Sequence, residues 1–122
     1  MFDQFKAFGQ LAALMKDKDR LKAAAEEFRA KLDRISVTGT SGGGAVRVTM
    51  NGQLRVTDVF LDPALVAGLQ HGDSGRTMAQ SLIMDAMNDA SERARAIVGQ
   101  EAQRHAKELG LPDMPGLQNL LG

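Results

Sequence analysis

The chain has 122 residues, of which 43% are apolar, and its fifteen basic residues are balanced by fifteen acidic ones. This length fits a single domain over residues 1–122, and the neutral net charge removes the general attraction to nucleic acid that a basic protein has. Because cysteine, tryptophan and tyrosine are absent, disulfides, thiolate zinc sites and aromatic base-stacking platforms are not expected. The N-terminus lacks the pattern of a signal peptide and no apolar run approaches the ~20 residues of a membrane span, so we expect no membrane association. The absence of cysteine is compatible with a reducing, cytoplasmic location.

The first predicted element is a long helix over residues 1–35. Apolar residues recur along it with the spacing of a heptad seam, interrupted by one lysine: Leu11, Leu14, Lys18, Leu21, Ala25, Phe28, Leu32 and Ile35. Such a helix would be ~50 Å long, which exceeds the span of a small three-stranded sheet. Part of the seam must therefore meet either the C-terminal helix or a second copy of the chain.

Basic residues of this helix gather on one face, roughly opposite the apolar seam. At ~100° per residue, that face carries Lys16, Arg20, Lys31 and Arg34. A charged helix face of this kind usually meets solvent and carries i,i+4 ion pairs. The other interpretation is a stripe that follows a phosphate backbone, and the pattern leaves both open.

Residues 36–63 are the part of the chain with the two-residue period of β-structure. Segments 36–40, 46–50 and 54–61 predict three strands, with a glycine-rich turn between the first two. Pro63 ends the third strand, because proline cannot donate a hydrogen bond to a sheet. This order predicts an antiparallel sheet between two helical regions.

The sequence Asn51-Gly52 predicts a two-residue type I′ turn between the second and third strands, which would pair Val48 with Arg55. The third strand would then be apolar on both faces, with Val59 and Leu61 on the face of Val48 and with Leu54, Val56 and Phe60 on the other. One helix layer covers only one face of a sheet. Either a one-residue bulge or burial against a partner subunit would resolve this, and we favour the partner.

After a loop with a short helical start at 64–76, a second long helix is predicted over residues 77–109, with Asp73 or Ser74 as its N-cap. Its apolar stripe is made of Ile83, Met87, Ala90, Ala94 and Val98, and a neighbouring face carries Arg93, Arg104 and Lys107. Small residues and methionine in such a stripe favour close helix–sheet packing. Proline and glycine punctuate the tail, 110–122, which we expect to be flexible.

Motifs that carry chemistry are missing from the sequence. There is no GxxxxGK[ST] phosphate loop, and His71 and His105 are too far apart for metal spacing and are expected to face solvent. Asp85 and Asp89 are interpreted as solubilising charges on a helix, and Gly-Asp-Ser-Gly at 72–75 as ordinary turn chemistry. We therefore predict no catalytic residue, cofactor, metal ion or small-molecule substrate, and no enzyme activity.

Several short motifs, in this order and spacing, resemble the YbaB/EbfC family of bacterial nucleoid-associated proteins. They are Val37-Thr38-Gly39, Ser41-Gly42-Gly43-Gly44, Val46-Arg47-Val48-Thr49-Met50-Asn51-Gly52, Val59, Leu61-Asp62-Pro63 and Ala86-Met87-Asn88-Asp89-Ala90. The resemblance spans nearly the whole chain. It implies an α+β fold in which a three-stranded antiparallel sheet separates two long helices, and a homodimer whose helices project as arms.

The resemblance also implies a function. Family members bind double-stranded DNA with little sequence selectivity in the nucleoid, and they affect DNA organisation and gene expression. Their DNA contacts are basic residues on the helical arms, which correspond here to Lys16, Arg20, Lys31, Arg34, Arg93, Arg104 and Lys107. Acidic residues interleave these cations, so we expect weak binding that depends on dimerisation. The alternative is a protein-interaction module whose arms hold another protein.

Overall fold

The computed structural model describes Gly9, Ala12 and residues 18–110. The elements are α1 (Lys18–Arg34), β1 (Ser36–Ser41), β2 (Val46–Asn51), β3 (Val56–Leu61), α2 (Pro63–Gly68) and α3 (Asp73–Glu108). Short 3-10 turns at Gly42–Gly44 and Leu69–His71 join some of them. The predicted α+β class and its element order are confirmed. Lys16 and most of the predicted flexible tail, 111–122, lie outside the described residues.

Helix α1 ends one residue before its predicted end. It has basic residues, Lys31 and Arg34, in its last turn. This arrangement is favourable with the helix dipole. Ala24 is its buried residue, whereas Leu21 of the predicted seam remains 42% exposed. After Ala24, the partly buried residues of α1 lie toward its C-terminal end, at Phe28, Ala30, Lys31 and Leu32.

The three strands form an antiparallel meander in the order β1-β2-β3, and α3 packs across β1 and β2. The alternation seen in the sequence places every second β2 residue in the core. The buried cluster combines strand and helix residues: Val37, Val46, Val48, Met50, Ala86, Ala90 and Ala94. All six residues of β3 are exposed. The core therefore lies under α3 at one side of the sheet.

The approach of α3 to β1 is close because small residues meet there. A Cβ atom on Gly39 would lie 2.2 Å from the backbone nitrogen of Ala90 and 2.5 Å from the carbonyl oxygen of Ala86. Only glycine fits at this position. The alanine-rich stripe of α3 thus serves close packing, as predicted, but Met87 is 43% exposed and was wrongly assigned to the buried stripe.

The predicted hairpin register is wrong. Val48 pairs with Val59 rather than with Arg55, and neither Asn51 nor Gly52 has the positive φ that a type I′ turn requires. The side-chain oxygen of Asn51 accepts from the backbone N–H groups of Gln53 and Arg55 at 2.9 and 3.1 Å, and Gly52 N–H donates to the carbonyl of Leu32 at 2.9 Å. The contact with α1 thus selects a longer loop.

The bulge considered as an alternative is present in β3. Thr49 pairs with Asp58 but Met50 pairs with Val56, so Thr57 is the extra residue. The bulge brings Val56 opposite Met50, whereas the sequence placed Val56 on the other face. Val59 still shares the face of Val48, as predicted. Its exposure shows that the bulge does not cover the apolar surface of β3.

Helix α3 begins at Asp73, four residues before the predicted start. Its N-cap is Gly72, with φ of 87°, and no side chain caps the helix, so the proposed caps Asp73 and Ser74 are wrong. Gly75 lies in the first turn, where a Cβ would be 2.1 Å from the carbonyl oxygen of Gly68. The Gly-Asp-Ser-Gly string therefore allows α2 and α3 to cross closely.

Candidate nucleic-acid interface

Lys31, one of the predicted arm cations, contacts two carboxylates. It lies in the last turn of α1, and its Nζ is 3.3 Å from Oε2 of Glu108 and 3.9 Å from Oε1 of Glu27. Its side chain is only 27% exposed. Because Glu108 is the last residue of α3, this contact places the C-terminal ends of α1 and α3 side by side.

A second contact joins the same two helices. The Nε2–H of His105 donates to the carbonyl oxygen of Ala24 at 3.1 Å, and the ring stacks on Phe28 with 5.2 Å between centroids. The other ring nitrogen, Nδ1, is buried, has no hydrogen-bond partner among the described residues and lies 3.9 Å from Glu108 Oε2. The prediction that His105 faces solvent is therefore wrong, whereas His71 is exposed as predicted.

The C-terminal end of α1 contacts the hairpin loop between β2 and β3. Besides the hydrogen bond from Gly52 to Leu32, the side-chain amide of Gln53 donates to the carboxylate of Asp33. Arg34 follows at the exposed end of the helix. The loop and the end of α3 thus brace α1 from two directions and hold Arg34 at a defined place.

Arg93 is held by a carboxylate that also contacts strand β1. Its Nε donates to both carboxylate oxygens of Asp89, at 3.2 and 3.1 Å, and Asp89 also accepts from the backbone N–H of Thr40 at 3.0 Å. The Thr40 hydrogen bond, followed by the contribution of Arg93, holds the pKa of Asp89 below its ordinary value of 3.8. Asp89 is therefore more than the solubilising charge that the sequence suggested, since it satisfies a donor at the outer edge of β1.

The remaining predicted cations differ in their surroundings. Arg104 forms an ion pair with Glu101 at 2.9 Å, while Lys107 and Arg20 are exposed. Arg104 and Lys107 lie at the end of α3 that contacts α1, but Arg93 is about 16 Å further back along the helix axis, at 1.5 Å per residue. The structure thus gathers the cations of the last turns of α1 and α3 at one end and leaves Arg93 apart.

Arg47 is a cation with tertiary contacts that was not among the residues predicted from the sequence. The guanidinium of Arg47 lies 5.1 Å from the ring centroid of Phe60, and its Nε donates to the carbonyl of Gly44 at 3.2 Å. It projects from the face of the sheet opposite α3. The alternation of Arg47 with the buried Val46 and Val48 is the signal that could have identified it, because alternate residues of a strand point to opposite faces.

Within residues 18–110, no cluster of three or more histidine or acidic side chains could hold a metal ion. No helix in the described part of the chain combines the length and the apolar character needed to cross a bilayer. The exposed side chains at the paired ends of α1 and α3 include the cations Arg34 and Lys107.

Comparison with known proteins shows which family this chain resembles. Residues 8–109 match the YbaB/EbfC DNA-binding family. A nucleoid-associated protein of Rhodopseudomonas palustris (strain HaA2) is 35% identical over 104 residues, which cover 85% of this chain and 92% of the relative. A nucleoid-associated protein of Anaeromyxobacter sp. (strain Fw109-5) is 33% identical over 103 residues, which cover 84% and 95%.

A solved structure has the same architecture. The crystal structure of an uncharacterized protein from Helicobacter pylori matches with a TM-score of 0.54 and 25% identity, over 69% of this chain and 92% of that one. The family match covers both long helices and the whole sheet, so it does not depend on one motif. The chain therefore belongs to the YbaB/EbfC DNA-binding family.

Proposed function

We propose that this protein is a nucleoid-associated protein that binds double-stranded DNA through the phosphate backbone, with little sequence selectivity. The observation that carries the proposal is the match of residues 8–109 to a DNA-binding family, and the names of the relatives support it. We place the protein in the nucleoid, in the cytoplasm, where it would affect DNA organisation and gene expression.

The candidate contacts are the seven cations predicted from the sequence. The surroundings of those that the structure describes differ. Arg34 and Lys107 are exposed near the junction of α1 and α3. Arg93 and Arg104 are engaged by carboxylates on the same helix, so their phosphate contacts would have to compete with those partners. Flexible cations on helix surfaces suit phosphate contacts rather than base readout, which favours weak, sequence-tolerant binding.

The test is fluorescence anisotropy of a labelled duplex titrated with the protein at several salt concentrations. Backbone binding predicts that the logarithm of the affinity falls linearly with the logarithm of the salt concentration, by about 0.9 per phosphate contact, and that unrelated duplexes bind alike. Failure to bind at low salt would contradict the proposal. In that case the alternative, a protein-interaction module, would be favoured.

A matched pair of variants locates the contacts. Lys107→Gln removes one positive charge at the junction of α1 and α3, whereas Arg76→Gln removes one in the first turns of α3, about 46 Å away along the helix. We expect Lys107→Gln to lower the salt slope by about 0.9 for each chain that contacts the duplex, and Arg76→Gln to leave it unchanged. Equal effects of the two variants would contradict the assignment of this end.

We further propose that the protein acts as a homodimer. The side chains of Val59 and Met87 are 50% and 43% exposed. Asp89 faces β1, so Met87, about 160° around the helix, lies on the flank toward β3. A second copy seated over β3 and this flank would cover an apolar surface that α3 leaves open, and it would present two sets of arm cations to one duplex. A monomer mass in light scattering at all protein concentrations would contradict the dimer.

A further inference from the structure

Two carboxylates neutralise Lys31 in the described structure. Glu27 is one turn back on the same helix, at 3.9 Å from Nζ, and Glu108 belongs to α3, at 3.3 Å. The pairing with Glu108 joins residues 77 positions apart, whereas the pairs of Arg93 and Arg104 join residues on one helical turn. The contact between Lys31 and Glu108 is therefore a product of the tertiary fold.

Glu108 lies at a position where an acidic side chain is unfavourable unless a positive charge is close to it. It is the last residue of α3, where the negative end of the helix dipole disfavours an acidic side chain. Its Oε2 faces Lys31 Nζ at 3.3 Å and the buried Nδ1 of His105 at 3.9 Å. Because half of the side chain remains exposed, Glu108 can move aside without unpacking the helix.

A phosphate oxygen and a carboxylate oxygen make the same kind of contact with a lysine ammonium group. Lys31 can thus bind Glu108 or a DNA phosphate, and the tertiary contact favours Glu108 while no DNA is present. We propose that Glu108 is a built-in competitor of DNA phosphate at Lys31, which weakens DNA binding and removes one contact from the salt dependence. This inference rests on the proposed DNA-binding function.

The test compares Glu108→Gln with Glu92→Gln, each in the full-length chain and measured by anisotropy over a range of salt. Both variants remove one negative charge from α3, but Glu92 is exposed and is not among the ion pairs formed within residues 18–110. We expect Glu108→Gln to bind DNA about two- to five-fold more tightly than Glu92→Gln, the range set by an exposed ion pair. Its salt slope should be steeper by about 0.9 for each chain that contacts the duplex, which corresponds to one added phosphate contact per chain.

Repeating both substitutions in a Lys31→Gln background completes the design. Without Lys31, Glu108 and DNA phosphate no longer compete for the same ammonium group. The excess effect of Glu108→Gln over Glu92→Gln on DNA affinity should therefore disappear. Equal effects of the two variants in the original background, or an excess that persists without Lys31, would overturn the inference while DNA binding itself still stood. A protein that does not bind DNA at all would overturn both this inference and the proposed function.

Discussion

At the scale of single residues, Asp89 shows how one side chain can accept a hydrogen bond from an unpaired N–H group of an edge strand. Strand β1 lies at one side of the sheet, and unpaired N–H groups at such an edge can pair with a foreign strand. The carboxylate of Asp89 accepts from Thr40 N–H at 3.0 Å and is held in place by Arg93. One helix residue therefore satisfies an edge donor that would otherwise be available to another chain.

The lowered pKa of Asp89 predicts a specific pH dependence of stability. A carboxyl group with a lowered folded-state pKa stabilises the protein at pH values above its ordinary pKa of 3.8, and this contribution is lost as the pH falls through the folded-state pKa. We expect Asp89→Asn, which keeps a hydrogen-bond acceptor but loses the charge, to be less stable than the unaltered protein at about pH 7, with the difference shrinking toward about pH 2. Urea denaturation at both pH values measures this, and a difference that does not change with pH would contradict it.

At the scale of elements, the junction of α1 and α3 depends on a small number of side chains. Phe28 stacks on His105, and His105 donates to Ala24 O, while Lys31 and Glu108 close the outer side. This junction and the hairpin loop under Leu32 both contribute to the direction in which the described part of α1 extends from the core.

This junction gives a prediction about coupling. If Phe28 and His105 stabilise each other, the effects of Phe28→Leu and His105→Ala on the free energy of unfolding should be non-additive by about 1 kcal/mol. Phe60→Leu with His105→Ala serves as the control, because Phe60 packs against Arg47 on the sheet and these two effects should add. Additive effects for Phe28 and His105 would contradict a direct interaction.

At the scale of the whole molecule, apolar surface and charge are distributed unequally. Strand β3 and one flank of α3 expose apolar side chains, whereas the ends of α1 and α3 expose cations. A homodimer built on the first surface would leave the second available to DNA. Assembly and DNA binding would then be linked without sharing residues, because each dimer offers twice as many cations as one chain.

Val59→Glu tests this link. A charge in the middle of the proposed dimer surface is costly to bury, so we expect it to shift the mass in light scattering toward the monomer and to weaken DNA binding at least ten-fold, which lies at the low end of avidity effects. Thr38→Glu adds the same charge to an exposed residue of β1 and should leave the mass unchanged. An unchanged mass for Val59→Glu would contradict the placement of the dimer surface.

The strands and the long helices could be predicted, because local periodicity in the sequence encodes them. The period of two residues located the strands, and the period of 3.6 residues located the long helices, with the end of α1 placed within one residue and the start of α3 within four. The hairpin at Asn51 was mispredicted because Gly52 bonds to Leu32 of α1. That contact selects a different loop, and no local rule contains it.

The same reasoning explains what was missed at the candidate site. Lys31 and Arg34 could be proposed from a helix face, but their neighbours could not. Glu108 meets Lys31 across 77 positions, and Thr40 meets Asp89 across 49. A single sequence shows which residues are charged, whereas only the fold shows which of those charges are already compensated.

The length of α3 has a mechanical consequence. The helix is packed on the sheet core up to about Ile97, so its last eleven residues extend about 16 Å beyond that support. A rotation of this segment by about 10° about Ile97 would move Lys107 by about 3 Å, close to the rise of one base pair along DNA. The contacts of His105 with Ala24 and Phe28 of α1 oppose such a rotation, so they would fix the spacing of the cations relative to the repeat of the duplex.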